Sequence, residues 1–202
     1  MLILASNGLT SQSLLDAVRD STARAATAAL VVTADEAYKA DNYHVPRCVR
    51  ELESLGLAVR LFDLDADPAS RLLDFDVVEF IGGNPFYLLH SIRAHRAAPV
   101  LEALARDRVL IGWSAAAFVF GPSLELVNRY SPELNGVGLD DLTALCLTDA
   151  QVLPHYSRYR TRFSRFEETC AEYEAARHCT VHRLDDGDAL LIDGGDVRVV
   201  RG

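Results

Sequence analysis

Short apolar runs alternate with segments of helical periodicity through the first half of the chain. Leu2 to Ala5, Ala29 to Val32, Ala58 to Phe62, Val77 to Ile81 and Val109 to Ile111 are apolar runs of strand length, the third and fourth each interrupted by one charged residue. Amphipathic segments separate the first three and the last two. That order predicts an α/β fold: a mostly parallel, doubly wound sheet flanked by helices. Turn chemistry marks the breaks. Gly8 and Thr10 precede a helix expected over Ser11 to Val18, Asn42 begins another that ends near Gly56, and Asp74 to Asp76 introduce the fourth strand. Past residue 117 the pattern loosens through Gly121-Pro122 and Ser131 to Gly138. It resumes as a strand at Gln151 to Leu153, a helix from about Arg158 to Ala176, and three short strands.

With 202 residues, half of them hydrophobic, the chain is read as a single domain, 1–202, able to bury a core and hold a preformed cleft. A formal net charge of -9 argues against nucleic acid or an anionic membrane as partner, because both demand a cationic face. Short peptides or other small molecules are the expected ligands, bound by a monomer or homodimer. The apolar start, Met1 to Ala5, stops at Ser6-Asn7-Gly8, too short for a signal peptide or a span, which gives a cytoplasmic reading. Cys48, Cys146, Cys170 and Cys179 are scattered without a CxxC pair, so neither a metal site nor a disulfide framework is expected, and no cofactor.

Candidate chemistry concentrates at Ile111-Gly112-Trp113-Ser114-Ala115-Ala116-Ala117, where a buried strand runs into a small-residue helix start. A serine there is a nucleophile-elbow candidate: Ser114 projects at the carboxyl edge of the sheet, and the Ala115 amide is free to bind an oxyanion. His155 follows Leu153-Pro154 on a loop at the same edge and is the candidate base. His44, His90 and His95 fall in helical patterns, and His178 and His182 flank a late strand. The orienting acid is sought in Asp185-Asp186-Gly187-Asp188, with Asp186 preferred because it precedes the glycine. Asp-Gly is equally the signal of a tight β-hairpin, and both readings fit. Gly82-Gly83-Asn84-Pro85 supplies a second oxyanion candidate, the Gly83 amide, ahead of a helix capped by Asn84. The order Ser, His, Asp and the alanine at 116 depart from the α/β-hydrolase pattern.

These motifs resemble the aspartyl dipeptidase (dipeptidase E) family of serine peptidases, which has the class I glutamine amidotransferase-like fold. Gly82-Gly83-Asn84 matches its Gly-Gly-Asn segment, Gly112 to Ala117 its GxSAGA elbow, and Pro154-His155-Tyr156 its Pro-His-aromatic segment. Ser6-Asn7 and Asp41-Asn42-Tyr43 are also similar, so the likeness runs along nearly the whole chain. It implies Ser114 as nucleophile, His155 as base, Gly83 and Ala115 as oxyanion donors, and Asp186-Gly187 in place of the family's Glu-Gly turn. Two departures stand out: Ala116 replaces a glycine, and Asn128-Arg129 lies where the family carries an aspartate, with Glu125 nearby. Tyr159, Phe163, Phe166, Cys170 and Tyr173 share one helical face and read as a core stripe. Of the flanking Arg158, Arg162 and Arg165, the last two are taken with Asn84 as candidate substrate contacts. The expected protein is a metal-independent serine exopeptidase of short peptides, with dipeptides bearing an N-terminal Asp as candidate substrates. The alternatives are a cyanophycinase-like hydrolase of β-aspartyl-arginine peptides and a non-catalytic binding protein on the same fold.

Overall fold

A computed structural model describes residues 1–202. β1 (Leu2–Ala5), β2 (Thr27–Val31), β3 (Ala58–Phe62), β4 (Val77–Phe80) and β5 (Val109–Trp113) run parallel. β6 (Gln151–Pro154) and β7 (Val181–Leu184) form a separate two-stranded parallel sheet. β8 (Ala189–Asp193) and β9 (Asp196–Val200) return to the main sheet as antiparallel strands, giving the order β3-β2-β4-β5-β1-β8-β9. The expected mostly parallel sheet is therefore present.

The apolar runs of β1, β2, β4 and β5 become central strands because both faces of this sheet are covered there, whereas β3 is the largely exposed edge. Along β1, Leu2 and Leu4 pack on one side with Leu110, while Ile3 and Ala5 pack on the other with Ile111 and Trp113. α1 (Gln12–Thr22) and α2 (Val45–Ser54) cover the second face. α3 (Pro85–Ala94), α4 (Ala98–Asp107), α5 (Ala115–Phe120) and α6 (Glu125–Tyr130) cover the first. No helix is long and apolar enough to cross a membrane.

Several boundaries moved for local reasons. β2 starts two residues early because Asp76 accepts hydrogen bonds from the Ala26 and Thr27 amides at 2.8 and 3.0 Å, pinning the strand start. α2 begins at Val45, not Asn42, because Asn42 closes a turn by accepting from the His44 amide at 2.7 Å. The single helix expected from Arg158 to Ala176 is two, α7 (Tyr156–Arg162) and α8 (Phe166–Arg177). Phe163 is extended and Arg165 is left-handed, φ 55°, so the chain turns there. The break lets Tyr159, Phe163 and Phe166 gather around Tyr130, at ring separations of 5.8, 5.1 and 5.2 Å. The stripe serves the core, as expected, but across two helices.

Glu79 breaks the apolar pattern of β4. It has no exposed surface, and neither carboxylate oxygen has a hydrogen-bond partner. Burial pushes its carboxyl up to about 8; the Glu51 charge adds to this, and the Arg47 charge offsets only part of it. With Glu79 protonated and Arg47 paired to Glu51 at 2.6 Å, this buried group carries no net charge. A carboxyl raised on folding binds its proton more tightly in the native state, so stability falls as pH rises from about 4.5 to about 8. Chemical denaturation across that range should show a decline of up to about 1.4 kcal/mol per pH unit from this group, removed in Glu79→Gln.

Candidate active site

Registry brings three strand ends level. Ala5 of β1 pairs with Trp113 of β5, and Phe80 of β4 with Gly112. Ser6, Gly82 and Ser114 therefore leave the sheet along one carboxyl edge, where open α/β sheets place ligands. Ser114 sits between β5 and α5 at φ 51° and ψ -108°, a conformation costing about 1–3 kcal/mol for a residue with a side chain. Its neighbours make room. A Cβ on Gly82 would lie 2.5 Å from the Trp113 ring and 3.0 Å from Ser114 Cβ. A Cβ on Gly112 would lie 2.5 Å from the Phe120 ring and 3.0 Å from the Ala116 methyl. Ala116 is thus seated against a glycine, and its methyl group does not crowd the elbow.

Two backbone donors flank the serine. Ala115 opens α5, so its N–H has no intrahelical acceptor. The Gly83 N–H makes no hydrogen bond within the protein. Gly83 has φ 154°, and a Cβ there would fall 2.2 Å from the Ala34 carbonyl oxygen, so the position admits only glycine.

The small sheet delivers the other two groups. Pro154 pairs with Leu184, so the residues following β6 and β7 emerge at one end. His155, at φ 137° and 7% exposed, has Nε2 2.7 Å from Ser114 Oγ and Nδ1 2.7 Å from Asp186 Oδ1. Ser6 Oγ donates to the same carboxylate oxygen at 3.0 Å, and Arg158 donates to Oδ2 at 3.2 Å. The carboxylate accepts from Nδ1–H, which leaves Nε2 free to accept the serine proton. Burial lowers the His155 pKa below 6.5, and Asp186 restores only part of the loss. Burial raises Asp186, but the hydrogen bond and charge of His155, then Ser6 and Arg158, hold it below the usual carboxylate range.

The three acids of the Asp-rich turn separate by partner. Asp185 accepts from the Ser157 amide at 2.8 Å at the start of α7. Asp188 is buried and accepts from the Asp185 and Gly202 amides at 3.1 and 3.0 Å. Asp186 alone meets the histidine. The turn closes through Asp188 N–H to Asp185 O at 2.9 Å with Gly187 at φ 99° in its third position. It is not a hairpin, since β7 pairs with β6 and β8 with β1 and β9; the turn carries the chain from one sheet to the other. Asn7 accepts from the Gly187 amide at 2.9 Å and fixes its apex.

A cleft of about 310 Å³ opens over these groups, with Asn7, Asn42, Tyr43, His44, Trp113 and Arg158 in its wall. A larger hollow of about 450 Å³ lies near Met1 and Arg106, at the opposite end of the sheet, and contains neither the serine nor the histidine. Three expected substrate contacts are not at the cleft. Asn84 accepts from the Phe86 and Tyr87 amides and donates to the Leu134 carbonyl, so its side chain is committed to capping α3. Arg162 lies over the Phe163 ring, and Arg165 pairs with Glu172 at 3.1 Å. Glu125 is taken by Arg177, whose Nε donates to it at 2.9 Å. Ser6, His44 and Arg158 are the residues whose positions sequence reasoning missed. Ser6 ends a central strand and Arg158 lies one helical turn past His155, signals that were available; His44 reaches the cleft only through the turn before α2.

A serine at a strand-to-helix elbow of a mostly parallel sheet, bonded to a buried histidine, defines an α/β hydrolytic enzyme of the serine type. The model of Peptidase family S51 matches residues 2–200, and the chain belongs to that family of peptidases. It is 28% identical over 160 residues to an uncharacterized peptidase of Listeria monocytogenes, 77% of each chain. Peptidase E of Citrobacter koseri is 32% identical over 152 residues, 71% of this chain and 63% of the relative. For peptidase E of a Shewanella species the figures are 34% over 122 residues, 60% and 50%, so the chain matches half to two thirds of these two relatives. In fold, it resembles a Listeria monocytogenes EGD-e protein described as a peptidase E, with a TM-score of 0.76 and 24% identity over 99% and 97% of the chains. A peptidase from an acI-B1 Actinobacterium gives a TM-score of 0.70 at 15% identity, over 100% and 87%.

The cradle at Gly83 is testable without substrate. Gly83→Ala should cost about 2 kcal/mol or more and lower Tm by several degrees, whereas Gly136→Ala, with nothing within 4 Å, should leave it unchanged in the same thermal melt.

Proposed function

We propose that this chain is a serine exopeptidase of short peptides, with residues 1–202 acting as one catalytic domain. The observation that carries this reading is the continuous hydrogen-bonded relay from Ser114 through His155 to Asp186, beside the two free amides of Gly83 and Ala115. Ser114 Oγ attacks the scissile carbonyl while His155 Nε2 takes its proton. Asp186 holds the Nδ1–H tautomer and stabilises the imidazolium that forms. The Gly83 and Ala115 N–H groups receive the negative charge on the carbonyl oxygen, a contribution of order 10²–10³ in rate per donor. His155 then protonates the leaving amine, and water, activated by the same imidazole, releases the acyl group. A cleft of about 310 Å³ has room for a residue or two, which favours dipeptides and peptide ends over folded chains. Aspartyl dipeptides, the substrates implied by the resemblance, gain no support from Arg162 or Arg165, and of that arginine row only Arg158 reaches the cleft. Arg158 is also the one feature there that suits the charged ends of β-aspartyl-arginine peptides. A purely binding role would leave a neutral histidine aligned on a serine for no purpose.

The base works only when neutral, so kcat/KM should fall on the acid side with a limb below pH 6.5. Asp186 raises the histidine pKa; Asp186→Asn should therefore move that limb to still lower pH while lowering kcat by about 10⁴. Ser114→Ala should lose both hydrolysis and labelling by a fluorophosphonate, and a variant retaining peptidase activity would refute the assignment.

A further inference from the structure

Beside Ser114 lies a second and much smaller hollow of about 40 Å³. Gly83, Ser114 and Ala115 line it, and the first two also line the main cleft, so the two hollows meet at the serine. Its walls are Pro85, Phe118, Val127, Tyr130, Leu134 and Tyr159, and the Tyr130 hydroxyl is buried without a hydrogen-bond partner. Ser131, 4% exposed, also lines it, and its hydroxyl makes no hydrogen bond within the protein. No lysine, arginine or histidine contributes to it.

The reaction chemistry assigns the two hollows. A scissile carbonyl held by the Gly83 and Ala115 amides and attacked by Ser114 must turn its nitrogen toward His155 Nε2, which protonates it. His155 lines the 310 Å³ cleft and not the small hollow. The leaving residue therefore lies in the large cleft, against Tyr43, His44 and Trp113, with Arg158 available to a peptide carboxylate. The acyl residue is turned toward the small hollow.

Resting on the function proposed above, we propose that this hollow is the acyl-side subsite and that it selects a small uncharged residue, glycine, alanine or serine, over aspartate. A hollow of about 40 Å³ takes a methyl or hydroxymethyl group more readily than a branched or four-atom side chain. A carboxylate there would be desolvated among mostly apolar walls that offer the neutral hydroxyls of Tyr130 and Ser131 but no cation, which disfavours its charged form. The one arginine at the site stands on the histidine side, bonded to Asp186. The substrate class is then a dipeptide or short peptide with a small neutral residue before the cleaved bond and a larger one after it.

The test is a panel of Ala-Phe, Ser-Phe, Leu-Phe and Asp-Phe, read as kcat/KM alongside fluorophosphonate labelling of Ser114. Ala-Phe and Ser-Phe should exceed Leu-Phe and Asp-Phe by about tenfold or more. Leu134→Ala, which removes part of the wall from a partly exposed residue outside the relay, should raise Leu-Phe relative to Ala-Phe by about tenfold in enzyme whose Ser114 still labels. Labelled enzyme that prefers Asp-Phe, or a Leu134→Ala variant with an unaltered ratio, overturns the subsite while leaving the serine mechanism standing. Enzyme that neither labels nor cleaves any member overturns both. The wild-type panel decides the matter even where the variant fails to fold.

Discussion

His155 stands 2.7 Å from a hydroxyl on one side and 2.7 Å from a carboxylate on the other, and the strands that carry these groups belong to different sheets. The serine comes from the end of β5 in the large sheet; the histidine and aspartate come from adjacent ends of β6 and β7 in the small one. Each hydrogen bond tolerates a few tenths of an ångström, so the angle at which the small sheet docks on the large one sets the chemistry. The connection from β7 into β8 enforces that docking. The Ser6 amide donates to the Asp188 carbonyl at 3.0 Å, and the Gly187 amide donates to Asn7 at 2.9 Å, so the acid-bearing turn is clamped to the end of β1.

Such a site is held under strain. Ser114 and His155 both adopt positive φ without being glycine, and each costs on the order of 1–3 kcal/mol. Packing offsets this: β1, β4 and β5 are buried along their whole length, and each fully buried leucine or isoleucine contributes about 1.5–3 kcal/mol. The glycines at 82, 83 and 112 are where backbone and ring must approach too closely for a side chain, so they cluster around the serine.

Charge is rationed with the same effect. Burial depresses the basicity of both His155 and His44, favouring neutral imidazoles in the cleft, while His155, Ser6 and Arg158 hold the Asp186 carboxyl below the usual carboxylate range. Beneath the elbow, Glu79 takes the opposite course and retains a proton. Beside the relay, Arg158 pairs with Asp186 at 3.2 Å and balances its charge.

Apolar periodicity and turn residues were enough to define the parallel sheet, the serine elbow and the glycine-rich turn before α3, because each is a property of a few consecutive residues. The aromatic stripe after His155 was visible for the same reason, although its break at Phe163 was not, since Tyr130, which gathers the rings, lies more than thirty residues away. Asp186 was preferred to Asp185 and Asp188 only for the glycine that follows it; all three share one turn, and the register of β6 against β7 is what aims the middle one at the imidazole. The arginines tell the same story. Arg158, Arg162 and Arg165 are equivalent as text, but a helix that starts at Tyr156 and ends at Arg162 turns only the first toward the cleft. Residues near in sequence are positioned by backbone geometry that can be read locally, while contact between distant segments depends on how whole sheets pack, which only the folded chain specifies.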